Sequence, residues 1–165
     1  MVNRRNKGWS APRPEGGATE DEALLREIYA CTRAAELAMV PWSDEQREAF
    51  LRFQFDAQDS HYRSQFPKAS YQLILKNTEP VGRLYVLRDD TEIRILDITV
   101  LPQYRNAGIG TSLIRDLLAE ADRSGKTVTI WVEQFNSSQA LFQRLGFAKI
   151  QADGYSDLFE YRARK

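Results

Sequence analysis

The chain has 165 residues, of which 42% are hydrophobic and 28% are charged, a composition typical of one globular domain with a substantial core. Its 23 basic and 23 acidic residues balance, so no overall charge attracts nucleic acid or an anionic membrane surface. No apolar run approaches the roughly 20 residues of a membrane-spanning helix, and no apolar segment follows the basic N-terminus as in a secretion signal. The single cysteine, Cys31, cannot form an internal disulfide, and these features together predict a cytoplasmic protein.

Residues 1–19 are predicted to form a flexible N-terminal arm. Prolines and glycines are interspersed with charges there, and at most one short strand is expected, near Trp9. No internal repeat or low-complexity block follows. Residues 20–165 are therefore predicted to form a single domain.

Two amphipathic helices are predicted at the start of this domain. The first runs from Asp21 to about Met39, and the second follows Ser43 and continues to about Ser64. Gln46 lies three residues after Ser43, which is the spacing of a capping box. The aromatic face of the second helix either packs in the core or lines a cleft. His61, the only histidine, has polar neighbours and is interpreted as an exposed residue rather than a catalytic base.

A mixed sheet with helices on both faces is predicted for the rest of the chain. Turn residues at 77–80 and 89–90 separate three strands of an antiparallel meander, at 71–76, 81–88 and 92–100. The later elements are an amphipathic helix at 109–123 closed by Gly125, a strand at 127–133, a short helix at 136–145, and strands at 147–150 and 158–162. One right-handed crossover joined to antiparallel strands gives an α/β fold with a mostly antiparallel sheet.

The segment LPQYRNAGIG, residues 101–110, connects the central strand to the amphipathic helix. The first N–H groups of a helix have no partners within it, and the helix dipole makes its start positive. Gly108 and Gly110 leave those groups uncovered, and Arg105 adds a cation. These features indicate a diphosphate site, and a turn that needs flexible residues is the alternative. The segment lacks the lysine of a P-loop and the third glycine of the dinucleotide fingerprint.

Two blocks of the sequence resemble the GCN5-related N-acetyltransferase family. DITVLPQYRNAGIGTSLIRDLL, from Asp97, carries the Arg-x-x-Gly-x-Gly signature of the acyl-CoA-binding segment. VTIWVEQFNSSQALFQRLGF, from Val128, is similar to the second family block. The resemblance extends more loosely over residues 20–162. It implies an acyl-CoA N-acyltransferase-like fold, acetyl-CoA as co-substrate, and transfer of the acetyl group to a primary amine of a small molecule or peptide.

The resemblance also implies where the parts of acetyl-CoA bind. The pantetheine arm would lie in a gap where the strands 92–100 and 127–133 separate, with Asn136 helping to position it. Asn136 with Gln139 is equally a good helix cap. Phe142 stands where family members often carry a tyrosine that can protonate the leaving thiolate. Backbone groups of Ile98, Thr99 and Val100 would pair with the arm, and those of Arg105, Asn106, Ala107, Gly108, Ile109, Gly110 and Thr111 would hold the diphosphate.

Three residues are candidates for proton transfer. Glu133 is the first candidate base, because it lies near the point where the two strands should separate. Asp97 is the second candidate, with a structural hydrogen-bonding role as the favoured alternative. Because Phe142 has no proton to give, Tyr104 is a candidate acid, and Tyr85 or water are alternatives.

The acceptor amine and the oligomeric state are left open by the sequence, with a homodimer as one alternative. No metal, nucleic acid or membrane is expected to take part. A non-catalytic acyl-CoA-binding sensor or regulatory module is the alternative to an enzyme, and the missing hydroxyl at Phe142 favours it.

Overall fold

The computed structural model describes residues 10–14 and 19–165, with side chains described from residue 22 onward. Residues 1–9 and 15–18, most of the predicted arm, lie outside the described part, so the arm's flexibility stays a prediction. A short strand does follow Trp9. The elements are β1 (Ser10–Pro14), α1 (Thr19–Ala38), α2 (Asp44–Gln65), β2 (Ser70–Lys76), β3 (Glu79–Arg88), β4 (Glu92–Val100), a 3-10 turn (Pro102–Tyr104), α3 (Ile109–Ser124), β5 (Thr127–Glu133), α4 (Gln139–Arg144), β6 (Ala148–Ala152) and β7 (Ser156–Arg162).

The strands of the described chain form one seven-stranded sheet in the order β1-β2-β3-β4-β5-β7-β6. β4 and β5 run parallel, whereas β1 and β2, β5 and β7, and β6 and β7 run antiparallel. α3 connects the two parallel strands, which a short hairpin loop could not do. The predicted fold class is confirmed: an α/β protein with a mixed, mostly antiparallel sheet and helices.

The chain divides into two compact units. The first comprises the described residues up to Leu84 together with residues 99–105, and the second comprises residues 85–98 and 106–165. β3 and β4 each contribute residues to both units. That residues 20–165 act as one domain stays a prediction.

In the first unit, α1 and α2 pack on each other around a small apolar core. The core contains Leu25 and Tyr29 of α1, Phe55 of α2 and Leu73 of β2, none more than 5% exposed. Phe53, which the sequence places on the aromatic face of α2, is 69% exposed. Only part of that face therefore packs in the core.

Local polar signals set the ends of elements in the first unit. The predicted capping box of α2 is confirmed, since Gln46 N–H donates to Ser43 Oγ over 3.2 Å and Ser43 N–H donates to Gln46 Oε1 over 2.9 Å. The β2–β3 turn is shorter than the predicted 77–80, because β3 begins at Glu79. Asn77 adopts a left-handed φ of 57°, which asparagine tolerates, so two residues suffice to reverse the chain.

In the second unit, α3 and α4 cover one face of the strands. α3 packs on β5 and β7, and Phe142 of α4 packs on Phe159 of β7 with ring centroids 6.4 Å apart. The buried residues of β5 on this face are Val128, Ile130 and Val132. Because side chains alternate along a strand, Trp131 lies on the opposite face, where it is 40% exposed.

The bounds of α3 agree with the prediction, whereas the start of α4 differs from it. α3 covers the predicted range and lies between two glycines in the left-handed conformation, Gly108 at φ 81° and Gly125 at φ 68°. The prediction that α4 begins at Asn136 is wrong. It begins at Gln139, because the preceding residues form hydrogen-bonded turns. None of the helices in the described ranges is long and apolar enough to span a membrane.

Candidate functional site

β4 and β5 separate at one end within the second unit. Their parallel register runs from the pair Glu92–Thr127 to the pair Ile95–Ile130. β5 continues to Glu133 and stays paired with β7 along its other edge as far as the pair Glu133–Ser156. β4 likewise continues past Ile95. The strand separation predicted from the sequence is therefore present.

The two candidate bases lie on opposite faces of these strands. By alternation along β4, Asp97 shares the face of Ile93 and Ile95, which are buried. In register with β5, this is the face covered by α3 and α4, and Asp97 is half-buried there. Glu133 shares the other face with Trp131 and is exposed. A substrate on either face would therefore meet one of these carboxylates and not the other.

The start of α3 carries backbone N–H groups that no side chain caps. Gly108 is the N-cap residue, and the first intrahelical bond runs from Ser112 N–H to the Gly108 carbonyl over 3.0 Å. The N–H groups of residues 109–111 come before that bond. Asn106, two residues before Gly108, is also left-handed, with φ of 60°. The dipole of α3 adds positive charge to these amides, which suits an anion.

Gly108 and Gly110 both face open space. A Cβ atom at either position would meet nothing within 4 Å. The positive φ of Gly108 explains a glycine there without any ligand. Gly110 has no positive φ and no close neighbour, so its backbone would tolerate a larger residue. The alternative of a flexible turn therefore explains the glycine at 108 and not the one at 110. The backbone at Gly110 is open to solvent, as the approach of a bound group would require.

Arg105 lies at the end of the first unit, directly before this loop in the chain. Its side chain is exposed and folds back, with Nε donating to the Val100 carbonyl over 2.9 Å and Nη2 3.7 Å from Cys31 Sγ. The next amide, Leu101 N–H, donates to the Val81 carbonyl over 2.8 Å. The carbonyl of Val100, the last residue of β4, therefore accepts a hydrogen bond from Arg105, the side chain that the sequence predicts to bind the diphosphate.

Neither candidate tyrosine presents a free hydroxyl at the surface, because Tyr104 is hydrogen-bonded to Glu79 and Tyr85 is buried. Tyr104 is half-buried, and Lys76 Nζ lies 5.3 Å from its ring centroid. A hydrogen bond to Glu79 is the main reason that the pKa of the Tyr104 hydroxyl lies above its ordinary value of 10.0, with burial adding to it. Tyr85 is fully buried. His61 is exposed, as predicted.

Asn136 is exposed and begins a turn rather than capping α4. Its Oδ1 accepts the Ser138 N–H over 2.8 Å, and its own N–H donates to the Glu133 carbonyl over 2.9 Å. The predicted cap with Gln139 is not formed. The Gln139 side chain donates instead to the Glu133 carbonyl and to Asp157, each over 3.1 Å.

Phe142 is a core residue of the second unit, 2% exposed. Its ring meets the edge of Phe147 at a centroid distance of 5.3 Å and an interplanar angle of 77°. Aromatic pairs favour this edge-on geometry. Its position is thus explained by packing.

Asp157 is a buried carboxylate that the sequence analysis missed. It is 3% exposed on the face of β7 that α3 and α4 cover. Burial by itself raises the pKa of Asp157, but donors from Lys149, Gln139 and Gln134 outweigh it and hold the pKa below its ordinary value. The sequence did contain a signal, because in SDLFEYR the acid alternates with Phe159 and Tyr161 on the buried face.

Among the described residues, no three His, Cys, Asp or Glu side chains lie together as metal ligands would. Two features of the described groups bear on chemistry: the uncapped amides at the start of α3, which suit an anion, and the carboxylates near the separated strands, which can accept protons.

The sequence of the chain is similar to one protein family. The sequence matches the model of the acetyltransferase (GNAT) family over residues 24–147. None of the curated protein sequences compared with the chain is significantly similar to it.

Several solved structures are similar in fold. PaiA N-acetyltransferase from Thermoplasma acidophilum, in complex with coenzyme A, is 19% identical with a TM-score of 0.63, and the match covers 93% of this chain and 99% of that one. An acetyltransferase from Streptococcus agalactiae is 18% identical with a TM-score of 0.64, and the match covers 94% of this chain and 98% of that one. A GNAT family acetyltransferase from Elizabethkingia anophelis with acetyl-CoA bound is 16% identical with a TM-score of 0.59, and the match covers 94% of this chain and 98% of that one.

The structural matches are too low in identity to show more than the fold. The family match is of a different kind, because it covers most of the sequence and includes both blocks identified from their residues. The chain therefore belongs to the acetyltransferase (GNAT) family.

Proposed function

We propose that this acetyltransferase transfers the acetyl group of acetyl-CoA to a primary amine of a small molecule or peptide. The observation that carries the proposal is the open space at Gly110, beside helix-start amides that no side chain caps. Two of the structures similar in fold were determined with coenzyme A or acetyl-CoA bound. Family membership and an uncovered anion site at the family's signature support the same co-substrate.

In this proposal the loop before α3 holds the diphosphate. The backbone N–H groups of Asn106 to Thr111 bind its oxygens, and the missing side chains at Gly108 and Gly110 allow close approach. Arg105 would turn from the Val100 carbonyl towards the anion. That movement releases a carbonyl of β4 for the pantetheine arm.

The separated ends of β4 and β5 hold the pantetheine arm. Backbone groups of Ile98, Thr99 and Val100 would pair with the arm as a neighbouring strand does. Asn136 uses its Oδ1 within its own turn, so its amide NH2 is the group that it would offer to the arm.

Acetyl-CoA supplies the activated acetyl group as a thioester. Binding the amine beside it would provide much of the rate through orientation. Glu133 would take the proton of the amine, with Asp97 as the second candidate. A backbone N–H near Val100 would stabilise the negative charge that develops on the acetyl oxygen.

The proton for the leaving thiolate has no assigned side chain. Phe142 has no hydroxyl, and Tyr85 is fully buried. Tyr104 would have to leave Glu79 to serve as the acid. We therefore favour water as the donor, with Tyr104 as the alternative.

Replacing Gly110 with tryptophan tests the diphosphate site. Gly110→Trp should weaken the binding of CoA at least about tenfold, because the indole would fill the space that the ligand needs. Calorimetric titration measures this. Ala119→Trp, at an exposed position later in the same helix, is the matched control and should bind like the wild type. Equal affinity of Gly110→Trp and wild type would count against the site.

A non-catalytic acyl-CoA sensor is the second candidate function. The specific observation that favours it is Phe142, which is buried in the core and has no proton to give. Steady-state thiol release with a panel of amines separates the two functions. Turnover with any amine supports the enzyme, and tight CoA binding without turnover supports the sensor.

The cytoplasmic location remains an inference from the balanced charge and the single cysteine. A homodimer remains an alternative that sedimentation in solution would test.

A further inference from the structure

The connection between β5 and α4 joins two residues of the proposed site, Glu133 at the end of β5 and Asn136 in the loop. We propose that Asp157 of β7 is a positioning residue for acetyl transfer, which acts through Gln139 to hold this loop in its working conformation. The inference rests on the proposed function and deepens it. It assigns a role to a side chain that is not among the residues of the proposed site.

Asp157 is a carboxylate surrounded by nitrogen donors. Gln139 Nε2 donates to its Oδ2 over 3.1 Å. Lys149 Nζ lies 3.2 Å and Gln134 Nε2 lies 3.4 Å from its Oδ1. An ionised carboxylate only accepts, so all three neighbours can donate to it at once. A carboxylate that is 3% exposed needs such donors, because burying it without them is costly.

Gln139 links this carboxylate to the loop. The same Nε2 group that donates to Asp157 also donates to the Glu133 carbonyl over 3.1 Å. That carbonyl accepts the Asn136 N–H over 2.9 Å, and the Asn136 carbonyl accepts the Gln139 N–H over 3.2 Å. One amide side chain therefore fastens the end of β5 to the turn that presents Asn136.

Replacing the carboxylate with an amide would weaken this link, because donors surround both oxygens and one of them becomes an NH2 group. In Asp157→Asn, a side-chain NH2 group replaces one of the two accepting oxygens. Whenever that NH2 faces Gln139, Gln139 must turn its own oxygen towards it. The same turn removes the N–H that the Glu133 carbonyl accepts, so the loop loses its anchor.

Lys149 provides a matched control on the other side of the carboxylate. It is half exposed on β6 and contacts Oδ1, whereas Gln139 contacts Oδ2. Lys149→Met removes a charged partner of Asp157 and leaves the Gln139 link in place. A purely structural role for Asp157 would make this variant resemble Asp157→Asn.

The test compares KM for acetyl-CoA with kcat in three variants of the full chain, with an amine that the wild type turns over in the panel as the acceptor. Asp157→Asn and Gln139→Met should each raise the KM for acetyl-CoA about fivefold, which is the effect of losing one hydrogen bond. In both variants kcat should fall by a smaller factor. Lys149→Met should lower the urea midpoint and keep KM within about twofold of wild type. A merely structural role would lower the folded fraction, and hence apparent kcat, without changing KM.

Gln139→Met carries the test if Asp157→Asn does not fold. Wild-type KM in Gln139→Met, or an equal rise of KM in Lys149→Met, would overturn the positioning role. A wild-type protein that does not bind acetyl-CoA would overturn the proposed function together with this inference. The two failures are distinguishable because the second is seen in the wild type.

Discussion

Gly108 and Gly110 are two residues apart, and different physical requirements apply to them. Gly108 has a φ of 81°, where any other residue would be strained. Gly110 carries no such constraint, and a Cβ there would meet nothing within 4 Å. A turn therefore explains the glycine at position 108 and leaves the one at 110 unexplained, although the sequence presents the two as one motif.

The candidate carboxylates also differ in a way that a sequence cannot show. Asp97 and Glu133 both stand in β-strands, yet alternation and register place them on opposite faces. Asp97 is half-buried on the face that the helices cover, and Glu133 is exposed. The exposed carboxylate can reach an amine from solvent.

The first prediction concerns these two residues. Glu133→Gln should lower kcat by about a hundredfold or more, because the amide cannot accept the proton of the amine. Its affinity for CoA should be unchanged. Asp97→Asn should lower the urea midpoint more than it lowers kcat. Steady-state kinetics and urea unfolding of both variants provide the comparison, and a larger loss of kcat in Asp97→Asn would reverse the assignment.

At the scale of the element, α3 is bounded by glycines of nearly equal backbone geometry. Gly108 precedes it with φ of 81° and Gly125 follows it with φ of 68°. Neither has a neighbour within 4 Å of a Cβ position. The two ends differ in charge, since the dipole makes the first end positive and the second negative. An anion site is therefore expected at Gly108 only.

The second prediction uses this symmetry. Gly108→Ala and Gly125→Ala should each lower the free energy of unfolding by about 1 kcal/mol, because alanine is strained at positive φ. Only Gly108→Ala should also weaken CoA binding. Urea unfolding measures the first effect and calorimetry the second. Equal CoA affinities in the two variants would show that the start of α3 does not contact the ligand.

At the scale of the whole molecule, several carboxyl groups are held below their ordinary pKa by the fold. Arg88 donates to both Glu120 oxygens, over 2.7 and 3.0 Å, and this is the main cause that lowers the pKa of Glu120 from 4.5. The other carboxyls with a lowered pKa are Asp89, Asp153 and Asp157. A lowered pKa means that the unfolded chain binds more protons at acidic pH, so stability falls as the pH falls.

The third prediction follows from that sign. The free energy of unfolding should be nearly constant between pH 7 and 5, and should decrease below about pH 4.5 as these groups become protonated. Glu120→Gln should be less stable than wild type at pH 7, and the difference should vanish towards pH 3. Arg88→Gln, which removes the partner, should show the same convergence. A difference that persists at pH 3 would mean that Glu120 acts through packing alone.

The sequence by itself determined the fold class, most element boundaries and the family. Hydrophobic periodicity, capping residues and glycines are local signals, so α3 and the capping box of α2 could be predicted without any tertiary contact. The uncapped amides at the start of α3 were predictable for the same reason, since they are consecutive in the chain. Local signals were weaker at α4, where the Asn136 cap was expected and turns were found.

Only the tertiary structure decided which side chains meet across elements. Asp157 and Gln139 are 18 residues apart in sequence, and no periodicity indicates that a carboxylate of β7 would bind the side chain that closes the β5–α4 loop. The faces of Asp97 and Glu133 depend on register between strands, and the contact of Tyr104 with Glu79 depends on how a turn meets a hairpin. These contacts arise from packing between distant segments, whose partners are selected by shape and by hydrogen-bonding type rather than by neighbouring sequence.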